Sequence, residues 1–152
     1  METKTHVVFD RANTNQKIDD EDDNGAFNAI DIGTDKAFRC HCHDDPEKES
    51  VELEVFTNEP VTEAIDVLEI AFHKGKQRKT KFSVDYIDTD DKKHHIGTYE
   101  SSGETTNYEK FLLPEKIKGF KGIVVTFKGN NDKSPWFAVK GIRLAKFIEK
   151  TL

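Results

Sequence analysis

The densest run of cations in the chain is HKGKQRKTK, residues 73–81. Lys74, Lys76, Arg78 and Lys79 fall close together there, and Gly75 permits a turn that brings backbone near a ligand. Presented from a loop, such a segment can face an anion. Arginine suits this best, because its planar fork holds a carboxylate through two hydrogen bonds, and Arg78 is therefore the leading candidate. The competing reading is a solvated basic loop that balances an acidic surface. His73 could hydrogen-bond a polar ligand or serve the fold equally well. A second candidate is the turn-rich GNNDKSPW, residues 129–136. Asn130 and Asn131 offer amide donors and acceptors, and Trp136 could stack on a ligand or fill the core at the start of a strand.

Other chemistry-bearing residues carry less. Cys40, His41, Cys42 and His43 alternate singly, whereas structural zinc ligands sit two to four residues apart in pairs. On a strand the two cysteines share one face and the two histidines the other, so the expectation is buried Cys with exposed His. His94 and His95 read as surface residues, and the acidic run 19–23 lacks the EF-hand ligand order. No nucleophile elbow, phosphate loop, metalloprotease helix or Cys–His pair occurs. Catalysis therefore has no foothold in the motifs, and a small enzyme is the weakest of the readings.

The elements that must position these residues read as strands. Residues 50–56 (SVELEVF) alternate cleanly, with Val51, Leu53 and Val55 on one side. Short strands are also expected at 6–9, 36–43, 65–72, 81–88, 95–99, 109–113, 122–128 and 137–147. A loop is expected through 13–25 and a turn at Asn58-Glu59-Pro60. The segment EAIDVLEIAF has some helical spacing, but its β-branched content and the flanking Pro60 and Gly75 favour a strand. About eight short antiparallel strands separated by turns point to an all-β sandwich or barrel.

Length and charge bound the function. The 152 residues suit one domain spanning 1–152, with enough chain for a core without disulfide staples. Charged residues make up 34% and the net charge is −6, which argues against phosphate neutralisation and hence against nucleic acid as partner. A local basic site on an acidic chain points instead to an anionic ligand. No apolar run reaches the roughly 20 residues of a membrane helix. The opening METKTHVVFD has no apolar stretch behind a basic start, so the compartment stays open: cytoplasmic, or a domain of a longer secreted protein.

Four segments, in order, then resemble a known family. IAFHKGKQRKTKF at 70–82, SVDYIDTDDKKHHIGTY at 83–99, SSGETTNYEKFLL at 101–113 and GFKGIVVTFKGNNDKSPWFAVKGIRL at 119–144 are similar to the discoidin-like (coagulation factor 5/8 type C) family 32 carbohydrate-binding modules, most of all those attached to alginate lyases. NAIDIGTD at 28–35 resembles the start of such modules, and the likeness covers roughly 26–147. The resemblance implies a galactose-binding-domain-like jelly-roll β-sandwich. It also implies a non-catalytic module that recognises a polysaccharide, an acidic one such as alginate given the cations, through His73, Lys74, Arg78, Lys79, Asn130, Asn131 and Trp136. A linked polysaccharide lyase domain and a secreted setting come with the family. The alternative is a diverged domain of the same fold that mediates protein–protein interaction.

The resemblance also implies where a structural calcium would sit. Family members often bind it through carbonyls, the Asp matching Asp31, a hydroxyl a few residues later and a Glu near the last strand. Here Lys36 and Lys140 stand at the latter two places. Calcium takes hard oxygen ligands, and two ammonium groups repel it. No cofactor is expected, with a lysine neutralising Asp31 instead. Phe38 stands where the family has a core Trp.

Overall fold

The computed structural model describes residues 3–16, 18, 21–31, 35–41, 50–73, 76–134 and 136–147. Among the described residues, ten strands follow one another: β1 (Thr3–Val7), β2 (Arg11–Thr14), β3 (Phe38–His41), β4 (Val51–Val61), β5 (Ile65–Phe72), β6 (Thr80–Asp88), β7 (Lys93–Glu100), β8 (Tyr108–Ile117), β9 (Phe120–Asn130) and β10 (Trp136–Phe147). The helical content among the described residues is one α turn, α1 (Glu21–Asn24), and a 3-10 turn at Ala26–Ala29.

The strands form two antiparallel sheets. One runs β1-β10-β5-β8, with β3 joined to β10 on the same edge as β1 but at the other end of the strand. The other runs β2-β4-β9-β6-β7. The expected all-β sandwich is therefore present, and the segment 65–72 is a strand rather than a helix.

Sequence and structure part company in three places. Arg11–Thr14, unrecognised as a strand and partly inside the expected loop, pairs with Leu53–Phe56 of β4. Only Ala12 of this strand packs against the core, so hydrophobic alternation could not reveal it. Glu21–Asn24 forms a helical turn within the same expected loop. Asn58-Glu59-Pro60 interrupts the ladder without ending β4, and pairing resumes at Val61 opposite Phe120.

The core explains why the sheets close. Phe38, Phe82, Phe120, Phe127 and Phe137 are fully buried between the two layers. Phe82 meets Phe111 edge-on at 5.1 Å between centroids and lies 5.8 Å from Phe72. Phe127 stacks on Phe137 at 5.0 Å. Such pairs add to the burial of large apolar rings. Phe38 is wholly buried, as expected for its place. Burial along β5 does not alternate strictly. Val67 and Ala71 are buried on the outer side of β5, and the ladder shifts register between Ile65 and Val67. A second shift, between Val139 and Gly141, separates Val139 from Ile142 in β10.

The two sheets are also tied at their edges. The Tyr99 hydroxyl of β7 donates to the Leu112 carbonyl of β8 at 2.8 Å. On the outer face of β5, buried Glu69 accepts from Arg143 Nε at 3.0 Å, and the Arg143 guanidinium lies 3.7 Å above the Tyr108 ring.

This antiparallel arrangement brings three connections to one end of the sandwich. Phe72 ends β5 beside Val139, Thr80 opens β6 beside Asn130, and Glu100 ends β7 beside Lys81. The β5–β6, β7–β8 and β9–β10 loops therefore share a rim.

Candidate functional site

At that rim a groove of about 520 Å³ is lined by Asn24, Arg39, His73, Arg78, Trp136 and Ala138. Each side chain reaches it for a local reason. Trp136 and Ala138 alternate with Phe137 and Val139 on β10; the latter two fill the core, so the former two face away from it. Trp136 is 45% exposed, which decides between its two readings: it lies at the surface. Arg39 lies between buried Phe38 and Cys40 on β3 and is likewise turned outward. His73 caps β5, its backbone N–H donating to the Ala138 carbonyl at 3.2 Å.

The two sequence candidates, 73–79 and 129–136, meet here. The Lys79 N–H donates to Asn131 Oδ1 at 2.9 Å, and the Asn131 N–H returns a bond to the Lys79 carbonyl at 3.0 Å. Arg78 Nε lies 3.1 Å from Asp132 Oδ2. Partial burial works against the Asp132 carboxylate. The Ser134 N–H and the Arg78 guanidinium outweigh it, holding this carboxyl below the ordinary aspartate value. With Nε engaged, the two terminal nitrogens of Arg78 have no hydrogen-bond partner among the described residues.

Arg39 contributes a second guanidinium that the sequence reading did not single out. One of its terminal nitrogens donates to His73 Nε2 at 3.0 Å. Guanidinium can only donate, so this bond requires His73 with that nitrogen unprotonated. The alternation that set Cys40 apart from its neighbours carried the signal, since it puts Arg39 on the solvent side.

The remaining candidates divide. Asn130 is committed to the loop: its Oδ1 accepts from the Thr80 hydroxyl at 2.5 Å and its Nδ2 donates to the carbonyls of Ser134 and Trp136. Lys79 is exposed, its stem passing over Gly103. Lys76 is also exposed. Lys74, Gly75, Cys42 and His43 lie outside the described residues, as do Asp19 and Asp20. Cys40 is buried.

Around the implied calcium position, Asp31 is half-buried and its N–H donates to the Phe27 carbonyl at 3.1 Å. The Lys36 ammonium lies 3.0 Å from Asp23, and Lys140 is exposed on β10. His94 and His95 lie far from the rim on β7. His94 bonds Asp88 at 2.7 Å and stacks on Tyr86, and His95 bonds Asp85 at 3.0 Å.

No family model matches the chain, and no curated protein matches its sequence. Solved structures do. A family 32 carbohydrate-binding module of AlyQ, in complex with 4,5-unsaturated mannuronic acid, aligns over 91% of this chain and 98% of its own, with a TM-score of 0.72 at 15% identity. A pectin-binding module aligns over 93% and 91%, with a TM-score of 0.73 at 17% identity. The family 32 module of C. perfringens NanJ, in complex with galactose, aligns over 90% and 93%, with a TM-score of 0.69 at 12% identity. The chain thus has the discoidin-like jelly-roll fold of these modules.

Proposed function

We propose that this chain is a non-catalytic module that binds polysaccharide in the rim groove, with acidic polymers such as alginate or pectin as its preferred class. The observation that carries the reading is the placement of an exposed indole, Trp136, in one groove with the guanidinium groups of Arg78 and Arg39. The indole offers a flat apolar face for the C–H side of a pyranose. The free edge of Arg78 offers paired N–H donors to a uronate carboxylate. Asn131 and Lys79, on the same loops, supply further polar contacts. The likeness of fold to modules crystallised with sugars, one of them an unsaturated mannuronic acid, supports the same reading.

Calcium has no part in this proposal, because Lys36 and Lys140 stand where oxygen ligands would be needed.

Affinity gel electrophoresis against alginate, pectin and neutral polysaccharides tests the proposal. Retardation by the acidic polymers, weakened by salt and lost in Trp136→Ala and Arg78→Ala, is the expected result. Retardation by none of the polymers would contradict it and favour a protein partner for the same fold.

A further inference from the structure

A second groove lies along β2 and β4. About 500 Å³ in volume, it is lined by Asp10, Arg11, Ala12, Asn13, Phe27 and Phe56. Its most prominent feature is Phe27, an aromatic ring 56% exposed on the 3-10 turn. A single exposed ring is ordinary on a protein surface, but this one shares a groove with a guanidinium and an amide. The floor is rigid. The Phe56 ring lies against Gly122, where an added Cβ would stand 2.8 Å from it, and the Arg11 guanidinium lies 5.3 Å over its centroid. Among the described residues, Arg11 and Asn13 have no hydrogen-bond partner for their side-chain nitrogens. Asp10 is half committed: its Oδ2 accepts from the Asn58 N–H at 2.8 Å. An open ring beside a flat, held guanidinium and an uncommitted amide is a surface suited to a sugar: stacking for the ring, donors for hydroxyls or a carboxylate.

The two grooves are joined by the chain itself. Asn24, at the end of α1, lines the rim groove, and Phe27 lines the second one. Only Gly25 and Ala26 lie between them, so three steps of 3.8 Å hold their Cα atoms within about 11 Å. We propose that the Phe27–Arg11–Asn13 surface is a second subsite that binds the continuation of the polysaccharide held at Trp136 and Arg78. The module then grips an internal stretch of polymer that reaches both grooves, rather than a chain end alone. This rests on the carbohydrate-binding reading above. Two linked contacts on one ligand raise affinity through effective concentration, so the second contact shows only in ligands long enough to reach both.

Isothermal titration of wild type, Phe27→Ala, Phe27→Trp and Trp136→Ala with a uronate disaccharide, a uronate octasaccharide and the intact polymer, in alginate and pectin series, separates the possibilities. Phe27→Ala is expected to lose about tenfold in affinity for octasaccharide and polymer and nothing for disaccharide, with Phe27→Trp restoring the long-ligand affinity. Octasaccharide affinity unchanged in Phe27→Ala, while still lost in Trp136→Ala, would overturn the second subsite and leave the rim groove standing. Wild-type protein that binds none of these ligands would overturn both.

Discussion

Arg78 and Asp132 clasp the β5–β6 loop to the β9–β10 loop, Nε to Oδ2 at 3.1 Å, and the clasp leaves the terminal edge of the guanidinium without a partner among the described residues. Asp132 therefore does two opposed things. It orients Arg78, and it offsets the charge an anionic ligand would seek.

Separating those effects gives the first prediction. Asp132→Asn keeps an acceptor oxygen and removes the negative charge. At a separation near 6 Å in a watery setting, one unit charge is worth enough to change affinity by about threefold. Asp132→Asn should bind acidic polysaccharide that much more tightly at low salt, with the gain fading as salt rises. Asp132→Ala, which loses the acceptor as well, should gain less. Titration calorimetry at two ionic strengths checks both.

The same carboxylate sets an acid limit. The folded form of Asp132 titrates below the ordinary value near 3.9, and Asp88 does too, chiefly through its bond to His94. A depressed folded value means stabilisation that is complete above the unfolded value and lost as pH falls through the folded one. Thermal midpoints should therefore be insensitive to these two groups from about pH 7 to 5 and fall below about pH 4. In Asp88→Asn and Asp132→Asn the acid limb should be shallower; an unchanged limb would contradict the assignment.

Stability and binding should come apart at two aromatic residues. Trp136 is exposed, so Trp136→Ala should cost less than about 1 kcal/mol of stability while removing binding. Phe82 is fully buried among Phe72, Phe111 and Tyr99, so Phe82→Ala should cost about 3–5 kcal/mol. Urea denaturation of the two variants reads the contrast.

Gly122 offers a steric test of the β4–β9 ladder. A Cβ there would stand 2.9 Å from the Val55 carbonyl oxygen, a backbone atom that cannot step aside. Gly122→Ala should cost about 1–3 kcal/mol by denaturation.

Calcium gives a prediction of no change. With Lys36 paired to Asp23 and Lys140 on the surface, the melting midpoint should be the same in calcium and in a chelator. A rise on adding calcium would contradict the reading of that site.

Much of the architecture was legible because burial imposes period-two patterning. Val51, Leu53 and Val55 announced β4, and the β-branched run 122–128 announced β9. Arg11–Thr14 was not legible: its pairing to β4 supplies backbone hydrogen bonds that leave little hydrophobic trace. At the site, the convergence of 73–79 with 129–136 followed from the expected fold. The fate of individual polar groups did not. Asn130 and Asn131 are neighbours of one type, yet the first has its amide oxygen engaged by Thr80 of β6 and its amide nitrogen by its own loop. Arg39 is far from both segments in sequence and joins them only because β3 pairs with Trp136–Val139 of β10.

The most direct test is a backbone amide and side-chain NMR titration with an acidic octasaccharide. Shift changes at His73, Arg78, Asn131 and the Trp136 indole, with Arg39 and Asn24 beside them, are the result expected of a rim groove that binds polysaccharide, and the second subsite adds Phe27, Arg11 and Asn13. Changes confined to β7 around His94 and His95, or none at saturating ligand, would contradict it.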